Sequence, residues 1–152
     1  MADKIPIVIG RTRGYQIDRI KGFCDQAAAH LDLPANLHGS TVLLKPNLIS
    51  SRAPKLACTD ARFIRAVAEW FADQGARLAL GDSPSFGSAT QAMKKMGITA
   101  ELQGLDLRVV EFKTPKEHIL THGVRVGIAE EATDCDLLVN LPRIKAHNQM
   151  FV

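Results

Sequence analysis

The stretch that decides the fold class is TVLLKPN, at residues 41–47. Its first four residues are apolar or β-branched without alternation, which is typical of a strand buried on both faces. A lysine, a proline and an asparagine then end the apolar run, so polar groups stand where the strand stops. We therefore predict a strand over residues 41–44 inside a parallel sheet.

Similar short apolar runs recur along the chain, with helical patterns between them. The predicted strands are residues 5–9, 41–44, 77–80, 107–112 and 136–140. Apolar residues at steps of three and four predict helices over residues 15–31, 60–74 and 88–96. Thr59 is the expected N-cap of the second helix, and Gly75 and Gly97 follow the second and third helices as C-terminal caps.

The region over residues 118–128 departs from this alternation. Its two short apolar segments, separated by Thr121-His122-Gly123, predict a hairpin or edge-strand excursion, followed by a short helical turn near residues 129–132. Alternating strands and helices indicate βαβ units. The predicted fold class is α/β, a three-layer, open, mostly parallel sheet of about five strands plus this excursion, with helices on both faces.

The length of 152 residues is enough for one α/β domain over residues 1–152. A parallel sheet normally covers its last strand with a helix, and no helical pattern follows residue 140. We expect either a chain that lacks a C-terminal continuation or a partner that supplies the cover, including a homo-oligomer that covers the open sheet edge.

Charge and composition exclude several classes of function. The net charge is +3 and 5% of the residues are aromatic, which disfavours a nucleic-acid partner. The cysteines Cys24, Cys58 and Cys135 form no CxxC pair, so we expect no iron–sulfur cluster within this chain. The apolar run near the N-terminus is too short for a signal peptide or a membrane span, which predicts a cytoplasmic protein without a membrane partner.

Polar residues follow each predicted strand, at the edge where open α/β sheets bind ligands. Lys45 and Asn47 follow the second strand and could meet an anion or carbonyl, although the same residues suit a Pro-Asn turn. Thr59 and Asp60 open the second helix, where Thr59 is the expected cap, Asp60 offsets the helix dipole, and the free backbone N–H groups could bind an anion beside the cap.

The third predicted strand is followed by Gly81-Asp82-Ser83. Asp82 could hold a divalent metal, a hydroxyl or an amine, and the alternative is a turn before the third helix. The glycines do not form a Rossmann or P-loop pattern.

The last predicted loop places Arg143, Lys145 and His147 at alternating positions. In an extended segment this spacing puts all three side chains on one side, as an anion clamp or an acid–base site. A solvated basic tail is the alternative.

The motifs together resemble a known family. They are Val42-Leu43-Leu44-Lys45-Pro46-Asn47-Leu48, Thr59-Asp60, Gly75-Ala76, Gly81-Asp82-Ser83 and Asp136-Leu137-Leu138-Val139-Asn140-Leu141-Pro142-Arg143-Ile144-Lys145-Ala146-His147. Their order and spacing are similar to a widespread prokaryotic domain of unknown function, often fused to ferredoxin-type iron–sulfur modules. The resemblance implies site positions at Lys45, Asn47, Asp60, Asp82, Lys145 and His147. The family usually continues past the last motif, and its ferredoxin cysteines are missing here.

The leading hypothesis is an enzyme-like domain that binds a small anionic ligand bearing phosphate or carboxylate. Lys45, Asp82 and His147 are the candidate catalytic residues, and Asn47, Thr59, Asp60, Ser83, Arg143 and Lys145 are the candidate ligand-binding residues. The alternatives are a non-catalytic module that docks an iron–sulfur or ferredoxin partner, and an inactive truncated remnant.

Overall fold

A computed structural model describes residues 5–31, 33–34 and 36–146 of the chain. Its helices are α1 (Ile17–Ala28), α2 (Ala61–Asp73), α3 (Ala89–Met96), α4 (Ile98–Glu101) and α5 (Glu130–Thr133). Its strands are β1 (Thr41–Pro46), β2 (Arg77–Asp82), β3 (Leu107–Glu111), β4 (Pro115–Ile119), β5 (Arg125–Ala129) and β6 (Leu137–Leu141).

Four of the strands form one parallel sheet in the order β3-β2-β1-β6. The strands β4 and β5 pair antiparallel as a separate hairpin. The mostly parallel α/β class and the hairpin predicted from the sequence are confirmed. The predicted strand over residues 5–9 is wrong, because these residues are irregular and exposed and pair with no described strand.

The sheet has one large core on the face covered by α1 to α4. Val42 and Leu44 of β1 and Leu80 of β2 belong to this core. Leu43 points to the opposite face, since successive strand side chains alternate, and is only 1% exposed. The strand β1 is therefore buried on both faces, as its continuous apolar sequence predicts.

The handedness of parallel crossovers explains this layering. The connections from β1 to β2 and from β2 to β3 advance in one direction across the sheet, so their helices lie on one face. The connection from β3 back to β6 runs in the reverse direction, which places the return on the opposite face. The hairpin and the short α5 belong to this return.

The end of β2 requires a residue without a side chain. A Cβ atom at Gly81 would lie 2.5 Å from Val110 Cγ2 and 2.6 Å from Phe112 Cε1. We expect Gly81→Ala to destabilise the fold by about 1–2 kcal/mol, because these neighbours must move. The control is Gly22→Ala in α1, where a Cβ would meet nothing within 4 Å, so that helix propensity should leave stability unchanged or higher. Urea unfolding measures both, and equal stability of the two variants would contradict this prediction.

Candidate functional site

The carboxyl ends of β1, β2 and β6 meet at one edge of the sheet. The strand β1 lies between β2, which follows it in sequence, and β6, which returns from the far side of the sheet. Such a reversal of strand order opens a crevice outside the strand ends, where open α/β sheets bind ligands. The residues that follow β1 and β6 therefore form the candidate site.

Lys45 and Asp82 are brought together, as the sequence analysis expected of two site residues. Lys45 Nζ lies 2.9 Å from Asp82 Oδ1, and the backbone N–H of Leu48 donates to Asp82 Oδ2 at 2.9 Å. Asp82 is 5% exposed, whereas about a third of the Lys45 side chain is exposed, at 32%. The carboxylate thus fixes the lysine and the turn after β1, while the ammonium group still reaches solvent.

Thr59 is a buried hub between the ends of β1 and β6. Its hydroxyl donates to the carbonyl oxygen of Leu141 at 2.6 Å and accepts from the N–H of Asn47 at 2.9 Å. The prediction that Thr59 caps α2 is wrong, because Asp60 is the N-cap and accepts from the N–H of Arg62. The hydroxyl is occupied by the two strand ends, so the next residue takes the cap.

Lys145 crosses from the segment after β6 to the segment after β1. Its ammonium group donates to Asn47 Oδ1 at 2.5 Å and to the carbonyl oxygen of Ala57 at 3.1 Å. Both acceptors are neutral. Among the described residues no carboxylate forms an ion pair with Lys145. The carbonyl dipoles of Asn47 and Ala57 hold this cation in place.

Arg143 forms a hydrogen bond with Tyr15, a residue that the sequence did not indicate as part of the site. Its guanidinium donates to the hydroxyl of Tyr15 at 2.7 Å, and the Arg62 guanidinium lies 4.7 Å from the centre of the same ring. Ile144 is 97% exposed between the half-buried Arg143 and Lys145, in accord with the alternation expected of an extended segment. No local pattern marks Tyr15, since its partner lies 128 residues away.

The Asp60 carboxylate is neutralised locally. Hydrogen bonds from the Arg62 side chain hold the pKa of Asp60 below its usual range, and Arg143 adds a weaker electrostatic effect. Two of these hydrogen bonds, at 3.0 and 2.9 Å, come from the Arg62 guanidinium. Asp60 therefore opposes an anionic ligand less than a free carboxylate would.

Cys58 lies within this site and is not activated. Burial raises the pKa of its thiol, an effect that Lys145 partly offsets and Asp82 reinforces. The thiol donates to the carbonyl oxygen of Leu48 at 3.0 Å. A neutral, hydrogen-bonded thiol is a packing residue at neutral pH. Cys58 is thus close enough to both Lys145 and Asp82 for their charges to affect its pKa.

The remaining candidates stand apart. Ser83 follows β2 and is exposed, without a described contact to the other candidates, and His147 lies outside the described residues. In the described part of the chain, no three histidine, cysteine, aspartate or glutamate residues converge as metal ligands. Both oxygens of Asp82 are already engaged, so a divalent metal at Asp82 gains no support.

Comparison with known proteins places the chain. The model of a domain of unknown function, DUF362, matches residues 42–152. The chain belongs to the DUF362 family. The match begins in β1 and includes every candidate site residue. The predicted resemblance to such a family is therefore confirmed, while the iron–sulfur association stays a prediction.

Among curated proteins, the chain is similar to a Synechocystis sp. thylakoid-associated protein. It is 36% identical over 114 residues, which cover 74% of this chain and 36% of that protein. The chain thus spans about a third of the length of this relative. No solved structure matches the chain.

The described helices are all too short or too polar to cross a membrane. The cytoplasmic location, the ferredoxin partner and the homo-oligomer stay predictions.

Proposed function

We propose that this chain binds a small anion bearing phosphate or carboxylate at the crevice between the ends of β1 and β6. The observation that carries the proposal is Lys145, a half-buried ammonium group held by two neutral acceptors. A fixed cation that forms no ion pair with a carboxylate of the described residues can make a charge-assisted hydrogen bond to an anion.

The hydrogen-bond donors of the Lys45 and Lys145 ammonium groups also support an anionic ligand. An ammonium group has three N–H donors. Lys145 uses two of them on Asn47 and Ala57, and Lys45 uses two on Asp82 and the carbonyl oxygen of Pro46. Each lysine keeps one donor for a ligand. The two stems are fixed beforehand, which lowers the entropic cost of binding.

The local charge balance points the same way. Among the described residues, Lys45 forms an ion pair with Asp82 and Arg62 forms one with Asp60, whereas Arg143 and Lys145 form none. The excess of positive charge attracts an anion into the crevice. The C-terminal edge at a reversal of strand order is also where α/β sheets bind small ligands.

A catalytic role is the further step of this proposal. Lys45 would polarise a carbonyl or phosphoryl oxygen, with Asp82 orienting its ammonium group. His147 would exchange a proton with the bound ligand, two residues beyond Lys145.

Removing Lys145 should weaken anion binding without unfolding the chain. We expect Lys145→Ala to raise the Kd for inorganic phosphate about 10-fold to 100-fold, the loss of one charge-assisted hydrogen bond. Titration calorimetry at low and fixed ionic strength measures the Kd. The matched control is Lys95→Ala, an exposed lysine on α3, which should leave the Kd unchanged.

Two outcomes would overturn the proposal. One is wild-type protein that binds neither phosphate nor acetate at low ionic strength. The other is an equal loss of affinity in Lys145→Ala and Lys95→Ala, because this would indicate attraction by net charge rather than by the crevice.

A further inference from the structure

A cleft opens between the start of α2 and the segment that follows β6. Its volume is about 310 Å³. Apolar walls are contributed by Tyr15, Phe63, Pro142 and Ile144, and Thr59 and Arg143 line it as well. We call this the aromatic cleft. Thr59 is common to it and to the lysine crevice, because its hydroxyl binds the N–H of Asn47.

The aromatic cleft has one cation with spare donors. Arg143 uses a guanidinium N–H on the Tyr15 hydroxyl, which is neutral, and a guanidinium has five N–H donors. The Asp60 carboxylate at the rim is paired with Arg62 rather than with Arg143. A cation over apolar, partly aromatic walls is complementary to a ligand that has both an anionic and a planar apolar part.

We infer that the anion of the proposed function carries a planar aromatic group, which lies in the aromatic cleft while its anionic part meets Arg143 and Lys145. This inference rests on the proposed function and names the class of its ligand. Arg143 lines the cleft, and Lys145 follows it by two residues on the same extended segment, with its ammonium group held by Asn47 and Ala57.

The size of the aromatic cleft sets the size of the group. Ligand sites begin at about 300 Å³, and an apolar cavity of about 150 Å³ already admits a benzene ring. The cleft therefore fits one ring together with its anionic substituent. The chain also lacks the glycine pattern of a dinucleotide site.

Ile144 is the second observation that points to an apolar ligand. It is 97% exposed at the edge of the cleft, where a bound ring would cover it. A bare inorganic anion would leave Ile144, Phe63 and Pro142 without any contact from the ligand. Because the side chain is 97% exposed, its replacement should not threaten the fold.

The test compares phenyl phosphate with inorganic phosphate by titration calorimetry. We expect phenyl phosphate to bind about tenfold more tightly, since the ring is removed from water. Ile144→Ser should lower this preference about threefold and leave the Kd of inorganic phosphate unchanged. The matched control is Ile119→Ser, an exposed isoleucine of the hairpin, which should change neither Kd.

The outcomes separate this inference from the proposed function. Equal binding of the two ligands, or a preference that Ile144→Ser does not alter, overturns the aromatic class and leaves the anion site standing. Binding of phenyl phosphate that responds to Ile144→Ser but not to Lys145→Ala supports the aromatic cleft and overturns the lysine crevice. Binding of neither ligand overturns both.

Discussion

Thr59→Val should lower the free energy of unfolding by about 2–4 kcal/mol, although valine has nearly the shape of threonine. Thr59 is 4% exposed, and its hydroxyl serves the carbonyl oxygen of Leu141 and the N–H of Asn47. Valine would leave the buried carbonyl of Leu141 and the half-buried N–H of Asn47 without that partner, and an unsatisfied buried group costs about 1–3 kcal/mol. The midpoint temperature of thermal unfolding should fall by about 5–15 °C, and urea unfolding measures the change in free energy directly.

Thr59→Ser is the matched control for this prediction. Serine keeps the hydroxyl and loses only a methyl group, so we expect a cost of about 1 kcal/mol. Equal destabilisation by serine and valine would contradict the claim that the Thr59 hydroxyl links β1 and β6.

Asp82→Ala is the second large effect, with an expected loss of about 2–4 kcal/mol in the free energy of unfolding. The substitution leaves the N–H of Leu48 without its acceptor and the ammonium of Lys45 without its counter-charge. Breaking a fully buried ion pair costs about 3–5 kcal/mol, and the partial exposure of Lys45 reduces this figure. Urea unfolding measures the loss.

A second substitution separates the charge from the hydrogen bond. Asp82→Asn keeps an acceptor for Leu48 and should cost about half as much as Asp82→Ala. Combining Asp82→Ala with Lys45→Met removes the uncompensated cation and should recover part of the stability. A double variant no more stable than Asp82→Ala would show that the ion pair contributes nothing.

The sheet could be predicted where burial alone determines a strand. The run at residues 41–44 is apolar on both faces, and β1 is covered on both faces in the structure. Residues 5–9 also contain β-branched residues but form no strand. They pair with no described strand, and Ile5, Ile7 and Ile9 are exposed. Composition indicates the tendency to extend, whereas a strand also needs an edge to pair with.

The sequence could predict which residues lie at the site, but it could not predict which residues they contact. The rule for strand ends identified Lys45, Asn47 and Asp82 without any knowledge of the partners. The hydroxyl of Thr59 binds a carbonyl 82 residues away, which a local capping pattern does not contain. Tyr15 was missed for the same reason, because only the folded chain brings it to Arg143.

The position of β1 has a consequence for the order of folding. Its partner on one side begins 36 residues further on, where Arg77 binds Thr41. Its partner on the other side is reached 95 residues further on, where Thr41 binds Asp136. Closing the longer loop costs more chain entropy and slows that pairing. The β1–β2–β3 unit can therefore form first, and the crevice between the ends of β1 and β6 exists only after β6 has paired with β1.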